Sequence, residues 1–325
     1  MDNVKGSCYK AAILGHVVAD ALGVPVEFNT RMELREDPVT DMMGYGTHNQ
    51  PAGTWSDDSS MTLATLEWLG ERTKDEADYQ SLMQKFSAWI FDGEYTPYGV
   101  NFDNGIATYK ALVNFANGMA PIECGGKSDY DNGNGSLMRI LPIALYDSDK
   151  LSPTITAEGE RSIFEISSLT HGHARSKVGC LIFSKIVADI LKSPTQSKQV
   201  TLQHSLTQCK EYIERHPVSA IAYEARKYNR LWDVENFANL PEEAIKSSGY
   251  VLDTLEAALW CFLNTDNYKD CVLKAVNLGE DTDTVGAVVG GLAGLYYGMK
   301  GIPTAWLDLI PKRDWIEFLA EKINQ

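Results

Sequence analysis

Apolar residues recur along this chain with the three-to-four spacing of helices, and strict polar/apolar alternation, the mark of a half-buried strand, is scarce. Residues 8–22 put Ala11, Ala12, Gly15, Val18, Ala19 and Leu22 on one broad face, and several are small enough for close packing against a neighbour. The run 59–70 sets Thr62, Leu63, Leu66 and Leu69 near one side. The spacing also predicts helices over 80–92, 105–117, 136–146 and 176–191, and over 247–264, where Val251, Leu255, Ala258, Leu259 and Phe262 make an apolar stripe. In 284–298, Gly286, Gly290, Gly294 and Gly298 recur every four residues. Glycine costs about 1 kcal/mol relative to alanine inside a helix, so such a stripe needs an offset. Close backbone approach by another helix supplies one. A membrane pairing motif is the rival, but the run is short and polar at both ends. Residues 192–248 are more polar and read as a peripheral, exposed helical excursion. No tract is biased enough to mark a domain boundary, and no solenoid-type repeat occurs. The pattern predicts one all-α domain over residues 1–325.

Composition changes this picture little. The apolar share of 44% and charged share of 22% are those of a globular protein. Charge does exclude something: 29 basic against 44 acidic side chains give a formal charge of −15, which disfavours general nucleic-acid binding. A small anionic ligand remains compatible, because a local pocket can differ from the whole field. Cysteines 8, 124, 180, 209, 261 and 271 show no CxxC spacing and read as free, mostly buried thiols of a reducing compartment. The N-terminal apolar stretch is broken by Lys10, His16 and Asp20 and lacks a signal-peptide pattern. A cytoplasmic protein without membrane association, monomeric by default, is the expectation.

Two acidic clusters stand out, Ser56-Asp57-Asp58-Ser59 and Glu280-Asp281-Thr282-Asp283-Thr284, each directly before a helical run. Asp, Ser and Thr there are ordinary N-cap residues. Capping uses one or two acceptors, however, and packed carboxylates repel unless a cation or proton offsets them. Side chains at i and i+2 of a helix diverge, so Asp281 and Asp283 converge only in a non-helical entry turn. The donors are all hard oxygens, which suits magnesium, manganese or calcium and fits zinc poorly.

Several segments together resemble the ADP-ribosylglycohydrolase family, relatives of the dinitrogenase reductase-activating glycohydrolase. Gly15-x4-Asp20-Ala21-Leu22-Gly23-x-Pro25-x-Glu27 is similar to the family's G-D-A-x-G-x-P-x-E motif, with Ala19 where glycine is usual. Trp55-Ser56-Asp57-Asp58-Ser59-Ser60-Met61 resembles W-T-D-D-T-x-M, with Ser56 keeping the hydroxyl of threonine. Gly279-Glu280-Asp281-Thr282-Asp283-Thr284-x-Gly286-Ala287 resembles G-x-D-T-D-T-x-G-A and is intact. The likeness spans residues 6–298. It implies a compact orthogonal helical bundle with a cleft for two Mg2+ ions, or Mn2+, held by Ser56, Asp57 and Asp58 from one side and Asp281, Asp283 and Thr284 from the other. Among these, Asp57, Asp58 and Asp281 would serve catalysis, with Glu27 as a further acid near the metals.

The segment Asn132-Gly133-Asn134-Gly135-Ser136-Leu137-Met138-Arg139 is either a plain Asn-Gly turn or a concave nest of N–H groups for an anion. Its likeness to the family's G-N-G-x-x-M-R loop implies contact with the ADP-ribose diphosphate, with Asn132, Gly133, Asn134, Gly135, Ser136 and Met138 as binding residues. Asn101-Phe102-Asp103-Asn104-Gly105 resembles a stretch near the distal ribose, where Asp103 would orient substrate or assist proton transfer. Thr170-His171-Gly172-His173 resembles the family's T-H-x-H, implying ribose or phosphate contact by His171, and Gly249-Tyr250 resembles an adenosine-side loop. An H-x-H pair also fits zinc, though no third ligand is evident. The resemblance implies a hydrolase that cleaves ADP-ribose from a modified protein side chain, arginine favoured, or from an ADP-ribose-type small molecule. Serine-linked ADP-ribose and O-acetyl-ADP-ribose are alternative substrates. A catalytically silent, crystallin-like binding protein and a dinuclear phosphoesterase are the alternative classes.

Overall fold

The computed structural model describes residues 2–72, 78–215 and 218–323, and among them every extended regular element is helical. Strand-like pairing is limited to isolated bridges such as Gly126 with His171 and Gly133 with Tyr250. At the centre the N-terminal helix, Asp2–Gly23, packs against the helix Thr282–Tyr297. The glycine stripe is the reason they meet. A methyl group added at Gly290 would lie 2.4 Å from the Gly15 carbonyl oxygen, one at Gly294 would lie 2.2 Å from that of Ala11, and one at Gly286 would lie 2.8 Å from that of Ala19. Rising numbers on one helix meet falling numbers on the other, so the pair is antiparallel. Gly298 does something else. It ends the helix at φ 72°, with nothing near its missing side chain.

The N-terminal helix passes as a membrane span on length and apolarity, yet 94% of its apolar window is buried inside the fold. Around this pair stand the helices Asp57–Glu71, Tyr79–Asp92, Ile106–Ala116, Ala174–Lys192 and Val251–Leu263, close to the expected runs. Two helices start later than expected. The helix expected over 136–146 begins only at Leu141, because Pro142 has no N–H to bond back to Met138 and is accommodated only in a helix's first turn. The run expected from 247 begins at Val251. Residues 247–249 use their carbonyls elsewhere: Ser247 accepts from Asp281 N at 3.0 Å, Ser248 from Thr254 Oγ1 at 3.1 Å and Gly249 from Asn134 N at 3.0 Å.

The polar stretch 192–248 is helical in part, with Lys198–Glu214 its longest element, and it is less exposed than its composition predicts. Leu202, Leu206, Cys209, Tyr228, Leu231 and Phe237 are buried in the main hydrophobic cluster, while Gln203, His204 and Thr207 face outward. All six cysteines are free; Cys8 is half-buried and the other five are buried.

Candidate active site

The end of the N-terminal helix organises both acidic clusters. Asp20 is fully buried, and its carboxylate accepts the N–H groups of Ser56 and Ser59, each at 3.0 Å, and the Ser59 hydroxyl at 2.5 Å. These bonds pin the first turn of Asp57–Glu71, where Ser56 Oγ also accepts from Asp58 N at 3.3 Å. Three residues beyond Asp20, a methyl at Gly23 would sit 2.4 Å from Asp283 Cα, so the second cluster rests directly on that glycine. Thr282 Oγ1 donates to the Gly23 carbonyl at 2.8 Å. The chain enters this helix through Gly279 at φ 79° and Glu280 at φ 64°, a left-handed turn that leaves Asp281 outside the helix and Asp283 in its first turn. This is the non-helical entry that convergence of the two aspartates requires.

The clusters then meet. Thr284 Oγ1 donates to Asp58 Oδ2 at 3.2 Å, across 226 positions of sequence. Ser56 Oγ donates to the same oxygen at 3.1 Å. Glu27, Asp281 and Asp283 each offer an oxygen within 4.8 Å of the others, a group that can hold a metal ion. Asn134 Nδ2 donates to Asp281 Oδ2 at 2.6 Å and to Thr254 Oγ1 at 2.8 Å, so the glycine loop is tied to the acids. Asp58 Oδ1 and Asp283 Oδ2 are buried and have no hydrogen-bond partner. Burial first, and then the neighbouring carboxylates, push Asp57, Asp58 and Asp283 well above the usual carboxylate range. Capping therefore accounts for Ser56 and leaves the carboxylates unexplained. Orphaned buried oxygens and mutual repulsion are both what a hard cation relieves, and the donor set fits one.

A cleft of about 410 Å³ opens beside these groups. Glu27, Asp57, Asp103, Asp281 and Thr284 line it, together with Gly133, Asn134, Gly135, Met138, His171 and Gly249. The glycine loop and the 249–250 loop are paired: Gly133 bridges Tyr250, and Val251 N donates to the Asn132 carbonyl at 3.0 Å. Asn132 and Ser136 turn their side chains inward. Asn132 Nδ2 donates to the Asp129 carbonyl at 3.0 Å, and Ser136 Oγ accepts from Ser167 Oγ at 3.0 Å. The Tyr250 ring lies under Arg175 at 5.7 Å. His171 is buried beneath the loop, where a methyl on Gly135 would come 2.7 Å from its Cε1. Burial holds its pKa down at about 3, so the ring is neutral, with Nδ1 beside Thr170 Oγ1 at 2.8 Å. His173 instead accepts from Arg175 N at 3.2 Å as a helix cap, so the two histidines serve separate partners.

Three residues gain a place that spacing alone did not give them. Asp20 stood in a motif without a role; an aspartate on an apolar helix face was the available signal. Arg139 is fully buried, lies over the Phe86 ring at 5.2 Å, and donates to the carbonyls of Gly135 and, at 3.0 Å, Ile166, so it braces the glycine loop from below. His48 is hydrogen-bonded to Glu27 and lies in a turn with no motif around it.

The geometry now stands beside known proteins. A family model of ADP-ribosylglycohydrolases matches residues 2–325. The chain belongs to the ADP-ribosylglycohydrolase family. This ADP-ribosylglycohydrolase is 32% identical over 317 residues to the ADP-ribosylarginine hydrolase Tri1 of Pseudomonas putida, covering 97% of this chain and 77% of that protein. It is 29% identical over 310 residues to the ADP-ribosyl-dinitrogen reductase glycohydrolase of Rhodospirillum rubrum, covering 91% and 88%. A solved ADP-ribosylglycohydrolase-related protein complex superposes with a TM-score of 0.78 at 28% identity, over 98% of both chains. The all-α fold is thus that of the family, and the chain is a hydrolase of glycosidic bonds to ADP-ribose.

Proposed function

We propose that this enzyme releases ADP-ribose from modified arginine side chains, with two magnesium ions, or manganese, held by Ser56, Asp57, Asp58, Asp281, Asp283 and Thr284. The observation that carries the reading is the Thr284–Asp58 hydrogen bond at 3.2 Å, which joins two acidic clusters whose buried oxygens Asp58 Oδ1 and Asp283 Oδ2 have no donor. When bound, the ions would neutralise these carboxylates and act as Lewis acids toward oxygen ligands. The scissile bond joins the anomeric carbon of the distal ribose to a guanidine nitrogen, and such bonds break through an oxocarbenium-like transition state. Acidic walls favour that chemistry, since Glu27, Asp57, Asp103 and Asp281 all line the cleft and attract a cationic leaving group.

Glu27 and Asp103 are the lining acids outside the two clusters, and they are the candidates to exchange a proton with the leaving group or with water. Burial, then Asp103 and Asp281, raise Glu27 to about 7, so it carries a proton part of the time near neutrality. Gly133 and Gly135 give the backbone room to approach a diphosphate, and Arg139 beneath them adds positive potential to a chain of charge −15. Binding the remote diphosphate then fixes the ribose for reaction. Two relatives support arginine as the leaving side chain: one is named for ADP-ribosylarginine and the other for ADP-ribosyl-dinitrogen reductase.

Incubation with arginine- and serine-ADP-ribosylated proteins, with magnesium or with EDTA, tests this by product mass. Free ADP-ribose appears from the arginine-linked substrate at least about tenfold faster than from the serine-linked one, and EDTA abolishes it. Faster release from serine would reverse the substrate assignment, AMP would point to phosphoesterase action, and retention of ADP-ribose without turnover would point to a binding protein.

A further inference from the structure

Glu27 occupies a position its own charge opposes. It is buried, and its carboxylate lies within 4.8 Å of ligand oxygens of Asp281 and Asp283. Repulsion among these groups favours rotation of Glu27 away from them. One neighbour counters this: His48 Nε2 is hydrogen-bonded to Glu27 Oε2. The turn that carries it, Gly46–His48, is fixed to the Glu27 segment at two further points. Thr47 Oγ1 donates to the Glu27 carbonyl at 2.7 Å, and a methyl at Gly46 would lie 1.9 Å from the Pro25 carbonyl oxygen, so the turn rests on that backbone.

The imidazole also reaches the other acid-bearing loop. Its ring centroid is 5.2 Å from that of Phe102, the residue before Asp103, and 5.9 Å from that of Phe28. Ligand atoms of Glu27, His48 and Asp103 all lie within 4.8 Å of one another. The three can be grouped as ligands of a cation, but His48 Nε2 is already committed to Glu27.

We infer that His48 is a positioning residue for the hydrolysis, holding the Glu27 carboxylate toward Asp281 and Asp283 through Nε2 while its ring supports the Asp103 loop through Phe102. The inference rests on the ADP-ribosyl hydrolase reading of the cleft. Histidine suits the task because one side chain supplies a hydrogen-bond donor at its tip and an aromatic edge along its flank.

Three substitutions separate this from a general structural role. His48→Gln carries an amide N–H that reaches about as far as Nε2. His48→Asn has the same amide one methylene short, and His48→Phe keeps the ring without the donor. With the full chain and magnesium, His48→Asn and His48→Phe lower kcat about tenfold or more, with KM within about threefold of the parent, while His48→Gln recovers most of kcat. Melting temperatures of all three stay close to the parent. Equal activity of the Gln and Asn variants, a change confined to KM, or parent-like kcat in His48→Asn would overturn the proposal; if His48→Phe fails to fold, the Gln–Asn pair still decides. A readout without turnover separates failure of this proposal from failure of the hydrolase reading. In a long-range 1H–15N spectrum of the histidine rings, the signal missing in His48→Gln is that of His48. It must shift on Glu27→Gln, and an unmoved signal refutes the contact.

Discussion

Asp283→Asn yields a protein that melts higher than the parent in EDTA and has lost at least about a hundredfold in kcat/KM. Asp283 is 1% exposed; its Oδ1 accepts the Thr284 N–H at 2.9 Å, and its Oδ2 has no donor. An asparagine keeps the acceptor and turns an NH2 toward Glu27, Asp58 and Asp281, the carboxylates whose charges push Asp283 upward. Removing one buried like charge is worth about 1 kcal/mol or more, or a rise of about 1.5 °C or more for a domain of this size. The same change removes an anionic donor from the cation-holding set, so magnesium, which raises the melting temperature of the parent, has little effect on the variant. Thermal melts with and without magnesium, beside steady-state kinetics, check both halves. A variant that melts lower in EDTA contradicts the view that these acids repel one another in the metal-free fold, and one that keeps full turnover removes Asp283 from the site.

Gly290→Val gives the largest expected loss of stability. A Cβ there would lie 2.4 Å from both the Ala19 Cβ and the Gly15 carbonyl oxygen, contacts no real Cβ makes. Neither obstacle is the free end of a flexible side chain, so the helices Asp2–Gly23 and Thr282–Tyr297 must separate. Overpacking of this kind costs about 3 kcal/mol or more, far above the roughly 1 kcal/mol that a better helix former returns. Activity falls as well, because one end of this helix pair carries the site, with Asp20 and Gly23 on the first helix and Asp283 and Thr284 on the second. Gly291→Ala is the internal control. Its added methyl meets chiefly the Leu141 Cδ2, at 2.8 Å, which can turn aside, so its cost stays well below that of Gly290→Val. Urea unfolding of the two variants gives the comparison, and equal costs would mean that helix contact does not set the need for glycine.

Helix content, the glycine stripe and both oxygen clusters were legible in the sequence because each is a short pattern with one physical meaning. Gly290 needed a close neighbour, and Gly15 and Ala19 supply it. Gly298 shared the period but not the purpose, since a helix-ending glycine and a packing glycine look alike in a string. What spacing left open was which distant segments face one another. Nothing near Asp58 indicates that its partner is Thr284, and the resemblance to a family, not periodicity, joined them. Pro142 was visible, yet the apolar run over 136–146 hid its effect on the helix start. His48 meets Glu27 from 21 positions away and Arg139 reaches the Ile166 carbonyl across 27, and such contacts leave no periodic trace.

Anomalous diffraction from crystals soaked in manganese is the most direct measurement of where divalent ions sit in this chain. Two peaks enclosed by the oxygens of Ser56, Asp57, Asp58, Asp281, Asp283 and Thr284 are the predicted result, and a map with manganese elsewhere, or with none between these clusters, would contradict it.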